Sequence, residues 1–439
     1  MSALSKFTLA VAVMAATCTG ASVKAEPASL PLAGDLLYAL PPEPVVRRAL
    51  EALPQLRLGA LNNELAAAEQ LKLNAGTHEW MVRAGASRRR VVGEQSYREQ
   101  ELGIERSVRW FGKADQDRKI GEQGISLAEA QRADAWHEAG RALMQDWYAA
   151  LRAQATVQRL AEQQALVQQL RATAERRVKA GESPALALMQ ADTEMRRFDA
   201  QLEQARLELT QALTLLATLY SHLPEPQLPA QQLPQPSLQP SLQPPRPLEQ
   251  DSMQDDMAAQ VLRITQDNHE LELAQVEAAL YGLKAQRAAS ERMPDPTLAL
   301  RAGRERDGQE RTLGLSLSIP LPGAARSAEH SAAAVRARMA TERVQQVTSK
   351  VQLEARRAVA DQRHSYQIWT SLRQVAEQSQ RQAQLMDRAW QSGEASLAEA
   401  LLSHRQASDA ALAAQTAQIN ALAAAARVQL DAHTLWAID

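Results

Sequence analysis

The sequence predicts a mainly α-helical chain, duplicated internally, in which each half carries one short β-hairpin suited to a membrane-spanning barrel. Three observations predict it. Leu102 to Glu105 (LGIE), with Gly112 nine residues beyond Gly103, recurs as Leu313 to Ser316 (LGLS), with Gly323 nine beyond Gly314. A period near 211 residues is too long for an ordinary solenoid and marks a duplicated half-molecule. Second, two proline-free tracts of 68 and 69 residues, 113–180 and 324–392, each run from one of these late glycines to a Gly-Glu pair, Gly181-Glu182 and Gly393-Glu394. As helices they would extend about 100 Å. Third, aromatics make up only 4% of the chain while Ala and Gln dominate its long tracts. Ala favours helix and lets backbones pack closely, whereas compact cores lean on larger apolar side chains.

Taken in order, residues 1–25 read as a secretory signal peptide. Met1 to Lys6 carries one lysine, Phe7 to Ala16 is largely apolar, and Val23-Lys24-Ala25 precedes Glu26. The apolar run falls far short of the ~20 residues a spanning helix needs. Cys18 is the only cysteine, so intrachain disulfides are excluded. It either leaves with the leader or carries a lipid, and Ala15-Ala16-Thr17 fits a lipoprotein box poorly. Residues 26–44 hold five prolines and read as extended chain. The first repeat, 45–221, opens with helical spacing at Val46, Leu50 and Leu53; Pro54 and Gly59 predict a kink or break, after which Leu61, Leu65 and Ala68 resume it.

A change to period 2 follows. Trp80, Val82, Ala84 and Ala86, a charged link, then Leu102, Ile104, Val108 and Trp110 outline a hairpin at about 80–110, with Arg106 breaking its apolar face. Arg88-Arg89-Arg90 belongs in the link or inside a pore rather than against acyl chains. The long tract follows to a tip at about 177–184, where Gly181 ends one helix; Ser183 suits an N-cap, with Pro184 at the first helical position of the next.

Residues 222–254 form an inter-repeat linker, with nine of the chain's twenty prolines between His222 and Asp251. The second repeat, 255–439, opens with a helical segment from near Met257 to about Glu291, whose apolar set is Leu271, Leu273, Val276, Leu280 and Leu283. Its hairpin, about 297–320, alternates more cleanly: Leu298, Leu300 and Ala302, a polar link at 303–311, then Leu313, Leu315, Leu317 and Ile319. These last four are the candidate lipid-facing residues. Transmembrane β-segments need only ~9–11 residues, but four strands cannot close a barrel, and no edge may remain in lipid. Three copies would supply twelve strands. The second tip lies at about 388–396, and Leu397 and Leu401 restart the apolar face beyond it.

With its paired hairpins, its Gly181 and Gly393 tips and its repeated arms, the chain resembles the outer membrane efflux protein family, the TolC-like channels, over roughly residues 45–435. Leu313-Gly-Leu-Ser-Leu-Ser-Ile-Pro-Leu-Pro-Gly323 resembles the second hairpin strand leading into its long helix, and residues 75–84, AGTHEWMVRA, are most similar to the heavy-metal cation-efflux branch. The resemblance implies a homotrimer in the bacterial outer membrane, with a twelve-stranded barrel and a long periplasmic helical tunnel. It implies a periplasmic adaptor and a proton-driven inner-membrane pump of RND type as partners. The adaptor-docking or aperture residues would be Arg177, Lys179, Gly181, Glu182, Ser183, Asp387, Arg388, Gly393 and Glu394. A multidrug or type I secretion duct would share this architecture; a non-channel periplasmic coiled-coil scaffold would share only the arms.

The chemistry fits a passive conduit and not an enzyme. The net charge of −2 supplies no basic field for nucleic acid. No phosphate-binding loop with its Lys and Ser or Thr occurs, and Gly121-Glu-Gln-Gly124 sits inside an expected helix. The eight histidines, at 78, 137, 222, 269, 330, 364, 404 and 433, show no metal-ligand spacing, so neither a metal site nor a cofactor is expected. His78, beside Glu79 and Trp80, reads as structural.

Overall fold

The computed structural model describes residues 40–90, 92–93, 95–228 and 250–436, with backbone alone at 250–255. The expected leader, Cys18 and most of the Pro-rich linker lie outside these residues. The helices are α1 Glu43–Glu51, α2 Pro54–Ala75, α3 Lys113–Lys179, α4 Ala185–Leu219, α5 Gln250–Gln266, α6 His269–Ser290, α7 Ala324–Gln391 and α8 Leu397–Asp431. The strands are β1 Met81–Arg90, β2 Ser96–Ser107, β3 Thr297–Glu305 and β4 Glu310–Ser318.

The arms form two antiparallel helical hairpins, α3 against α4 and α7 against α8, with α3 also packed on α8. At 67 and 68 residues α3 and α7 are unbroken. Small side chains set the spacing: α8 buries Ala400, Ala407, Ala414, Ala417, Ala421, Ala425 and Ala426. At Gly121 a Cβ would lie 2.7 Å from Gln70 Cγ and 3.1 Å from its Cα, so this glycine lets α2 lie against α3. The largest apolar cluster among the described residues gathers the middle of α3 with the ends of α4 and α8 and with α1. There Leu143, Trp147, Tyr148 and Leu151 of α3 meet Leu216 of α4, Ile419, Leu422 and Leu430 of α8, and Val46, Ala49 and Leu50 of α1. Trp436 closes it, its Nε1 donating to the Pro41 carbonyl at 3.2 Å.

Several local expectations are corrected. The break expected around Pro54 and Gly59 falls before Pro54, and Gly59 is helical; proline at the first turn of a helix costs no hydrogen bond. For the same reason α1 starts at Glu43, inside the stretch expected to be extended, with Pro44 in its first turn. The segment after the linker begins earlier than expected, at Gln250, and is two helices rather than one. It is interrupted at Asn268, whose side chain accepts from Leu271 N–H at 3.0 Å and caps α6. The link expected at 303–311 shrinks to four residues, because Gly303, Arg304 and Glu305 pair with Thr312, Arg311 and Glu310. Leu61 and Leu65, read as one apolar face, are exposed with Leu58 and Leu71 along α2.

All four strands join one antiparallel sheet in the order β1-β2-β3-β4. Among the described residues the outer edges of β1 and β4 pair with no further strand. No described helix is long and apolar enough to cross a membrane.

Candidate functional site

The register turns the alternation in the sequence into two chemically distinct sheet faces. Residues directly opposed across a ladder share a face. Val82, Ile104, Leu300 and Leu315 form one continuous row, and Ala84, Leu102, Ala302 and Leu313 the next. Leu317 lies opposite Leu298 in a third row that Arg106 completes. Leu313, Leu315 and Leu317 are 78%, 78% and 58% exposed. Ile319 is exposed too, but it stands one residue beyond the end of β4. The opposite face carries Arg83, Glu105, Glu101, Arg301, Ser316 and Thr312, with Arg83 2.7 Å from Glu105 and Arg301 3.7 Å from Glu101.

Two arginine questions raised by the sequence are settled by position. Arg106, which interrupts the apolar face, packs its guanidinium over the Trp80 ring at 5.2 Å and donates to the His78 carbonyl. It sits at the end of the sheet nearest the helices. Arg88-Arg89-Arg90 occupies the last three positions of β1 rather than the link, and, against expectation, alternation puts Arg88 and Arg90 on the same face as Val82 and Ala84, at the end of the strand away from the helices. Arg89 lies on the polar face, 3.2 Å from Glu99 and 3.8 Å from Glu305.

Sheet and arms meet in a buried polar junction that sequence reasoning missed. Lys113, at the start of α3, has no exposed side chain; its Nζ donates to Asp295 Oδ1 at 2.8 Å and to the Met293 carbonyl at 2.6 Å. Asp295 also accepts from Trp110 N–H and contacts His78 Nε2 at 2.8 Å. Burial would raise the Asp295 pKa, but Lys113, His78 and the Trp110 amide outweigh it and hold the carboxyl below its ordinary value. Next to it, Asp117 receives Arg109 and Arg287, and Arg109 also caps the carbonyls of Leu73 and Asn74 at the end of α2. His78 is thus structural: it ties the approach to the first hairpin to that of the second.

At the far ends of the arms both tips close in the same way. Gly181 (φ 75°) and Gly393 (φ 82°) take the left-handed conformation. Glu182 N–H donates to the Arg177 carbonyl at 2.9 Å and Glu394 N–H to that of Ala389 at 2.8 Å, the six-to-one bond of a Schellman cap. The restarts differ. Ser183 is not the N-cap; Pro184 holds that position with no side-chain bond, and α4 begins at Ala185. In the second tip Ser396 and Glu399 form a complete capping box. The spacing Ser396-Leu-Ala-Glu399 was its available signal.

Of the tip residues singled out from sequence, two bind across to another element. Arg177 donates to the Trp390 and Gln391 carbonyls, both at 3.2 Å, and stacks over the Trp390 ring at 4.8 Å. Asp387 lies 2.6 Å from His404 Nε2, between α7 and α8. Lys179, Glu182, Arg388 and Glu394 are exposed, Lys179 pairing with Glu175 one turn back.

The third feature is a juxtaposition that the linear order does not display. The histidines show no metal-ligand spacing in sequence, yet the fold gathers His137, His269 and His433, one ligand nitrogen of each lying within 4.8 Å of the others. Beside them Asp431 accepts Arg141 Nε at 2.8 Å and Arg427 Nε at 2.7 Å and lies 3.4 Å from His137 Nε2. Burial would raise the Asp431 pKa, but His137 and the two arginines hold it down at about 2. Burial in turn lowers that of His137, against the opposing pull of Asp431.

No family model matches the chain, and no curated protein matches it. Solved structures do. The outer-membrane channel OprN superposes with a TM-score of 0.73 at 18% identity over 90% of each chain. The Campylobacter jejuni CmeC outer membrane channel gives 0.70 at 15% identity, over 91% of this chain and 86% of that one. CusC, described in terms of transmembrane channel formation, gives 0.69 at 17% identity, over 90% and 91%. At such identities the likeness is one of fold, and from sheet to tips this chain is folded as those outer-membrane channel proteins are.

Proposed function

We propose that the chain is the outer-membrane channel subunit of a tripartite, proton-driven efflux system, acting as a homotrimer and as a passive exit duct rather than an enzyme. The observation that carries this reading is the amphipathic sheet: continuous apolar rows on one face, ion pairs on the other, and two edges left open. In hydrocarbon every backbone amide needs a partner, so the edges of β1 and β4 call for neighbouring copies. Three chains of four strands give a twelve-stranded barrel with leucines toward lipid and Arg83, Glu101 and Arg301 toward water. The exposed stripe of Leu58, Leu61, Leu65 and Leu71 on α2 is an apolar face of the kind that subunit contact covers.

The two repeats, 45–221 and 255–439, then each contribute one membrane hairpin and one arm. The tips face an adaptor, with Lys179, Glu182, Arg388 and Glu394 offering the accessible charge, while Arg177 and Asp387 hold the tips together. Gly181, Gly393 and Ser183 shape the turns that present these charges. For cargo, the similarity of residues 75–84 supports heavy-metal cations over drugs or secreted proteins. Weak contact with cargo suits a duct, which must release what it admits.

Detergent extraction of outer membranes should yield trimers that conduct as single channels in planar bilayers; monomers recovered from the soluble periplasm would reject the channel. A deletion strain should lose tolerance to metal cations while keeping its resistance to organic toxicants. The reverse pattern would retain the duct and reject this cargo.

A further inference from the structure

The three gathered histidines come from separate parts of the chain. His137 lies in the first half of α3, His269 is the first residue of α6, and His433 follows the end of α8. Their ring centroids stand 4.7, 5.2 and 5.7 Å apart. His137 and His269 are largely enclosed, with side-chain exposures of 6% and 12%.

His433 sits in a defined turn at the end of α8. Its N–H donates to the Leu430 carbonyl at 3.0 Å, and Thr434 N–H reaches the Gln429 carbonyl at 2.9 Å. This is the Schellman geometry of the two tips, where the left-handed position is filled by Gly181 and Gly393. Here a histidine takes it at φ 54°. A side chain in that conformation costs roughly 1–2 kcal/mol. Phe111, His222, Arg306, Asp307 and Trp436 also have positive φ, so the conformation does not mark the site; it makes His433→Gly a substitution that relieves strain while removing a ligand.

We propose that His137, His269 and His433 bind a borderline divalent transition-metal ion, with Zn2+ as reference, which clasps α3 to α6 and to the end of α8. Imidazole nitrogens suit this class of ion. Zinc–nitrogen bonds of 2.0–2.1 Å place neighbouring ligands roughly 3.4 Å apart in a tetrahedron, so nitrogens within 4.8 Å need only side-chain rotation to converge. Three protein ligands leave the fourth position to water. Asp431, locked by Arg141 and Arg427, is the carboxylate that orients His137, the arrangement that raises ligand basicity at metal–histidine centres. Glu272, 3.6 Å from His269 Nδ1, adds negative charge around the cation. The clasp joins the first repeat to the second. It is a resident site, and it stands whether or not the channel carries metals.

The test uses untagged full-length protein purified in detergent, stripped with chelator and reloaded with Zn2+ or Co2+. We expect a single zinc ion per chain retained through gel filtration, an intense tetrahedral Co2+ absorption band, and a zinc-dependent rise in melting temperature. His269→Gln should weaken zinc binding by about tenfold or more. His433→Gly relieves the left-handed conformation, so it should abolish the zinc response while leaving the metal-free protein at least as stable as the wild type. No retained zinc, or zinc bound equally well by both variants, would overturn the site.

Discussion

Lys113 shows how much one residue carries in this fold. Its ammonium is withdrawn from water and paired with Asp295, a partner 182 positions away. Breaking a buried pair from one side leaves an uncompensated charge and costs about 3–5 kcal/mol. Asp295→Ala should therefore lower thermal stability by that order, as read by melting in detergent. The same pair predicts an acid limit. The Asp295 pKa is depressed in the folded state, so its stabilisation is complete above the unfolded-state value and disappears as pH falls through the folded one. The stability gap between wild type and Asp295→Asn should hold near neutral pH and close in acid. A gap that instead widens below the ordinary carboxylate range would refute this assignment.

Between elements, the two helical tips are built alike on one side and differently on the other. Both arms end in a glycine Schellman cap, yet only α8 starts from a side-chain cap. Ser396→Ala should destabilise the start of α8 by about 1 kcal/mol, seen as roughly fivefold faster amide exchange in its first turns. Ser183→Ala should leave α4 unchanged, because Pro184 holds the N-cap position and makes no side-chain bond. Equal effects at the two serines would contradict this. The resemblance between the tips thus extends to how the chain turns, but not to how it resumes.

For the whole molecule, the decisive property is the two-faced sheet. Leu315 sits in the middle row of the apolar face and Ser316 on the other. A charge on the lipid face near the midplane costs ~2–4 kcal/mol, whereas lumen substitutions tune selectivity. On the proposed trimeric barrel, Leu315→Arg should sharply reduce assembled trimer in the outer membrane. Ser316→Arg should assemble normally and shift ion selectivity toward anions in bilayer recordings. The opposite pattern would reverse the assignment of the faces.

The sequence by itself determined the duplicated arms, the glycine tips and the hairpins. Their signals are local: helical spacing free of proline, glycine where a left-handed turn is needed, and alternation such as Leu313, Leu315, Leu317. It left the strand ends short, because Gly303 to Glu305 are polar and pair only when their partners are known. Only the tertiary structure decided the Lys113–Asp295 junction, the inward engagement of Arg177 and Asp387, and the meeting of His137, His269 and His433. Each joins residues from different elements, and composition and spacing carry no trace of which distant side chains will face one another. The histidines show this most plainly: without a motif they look scattered, and the packing of α3, α6 and α8 makes them neighbours.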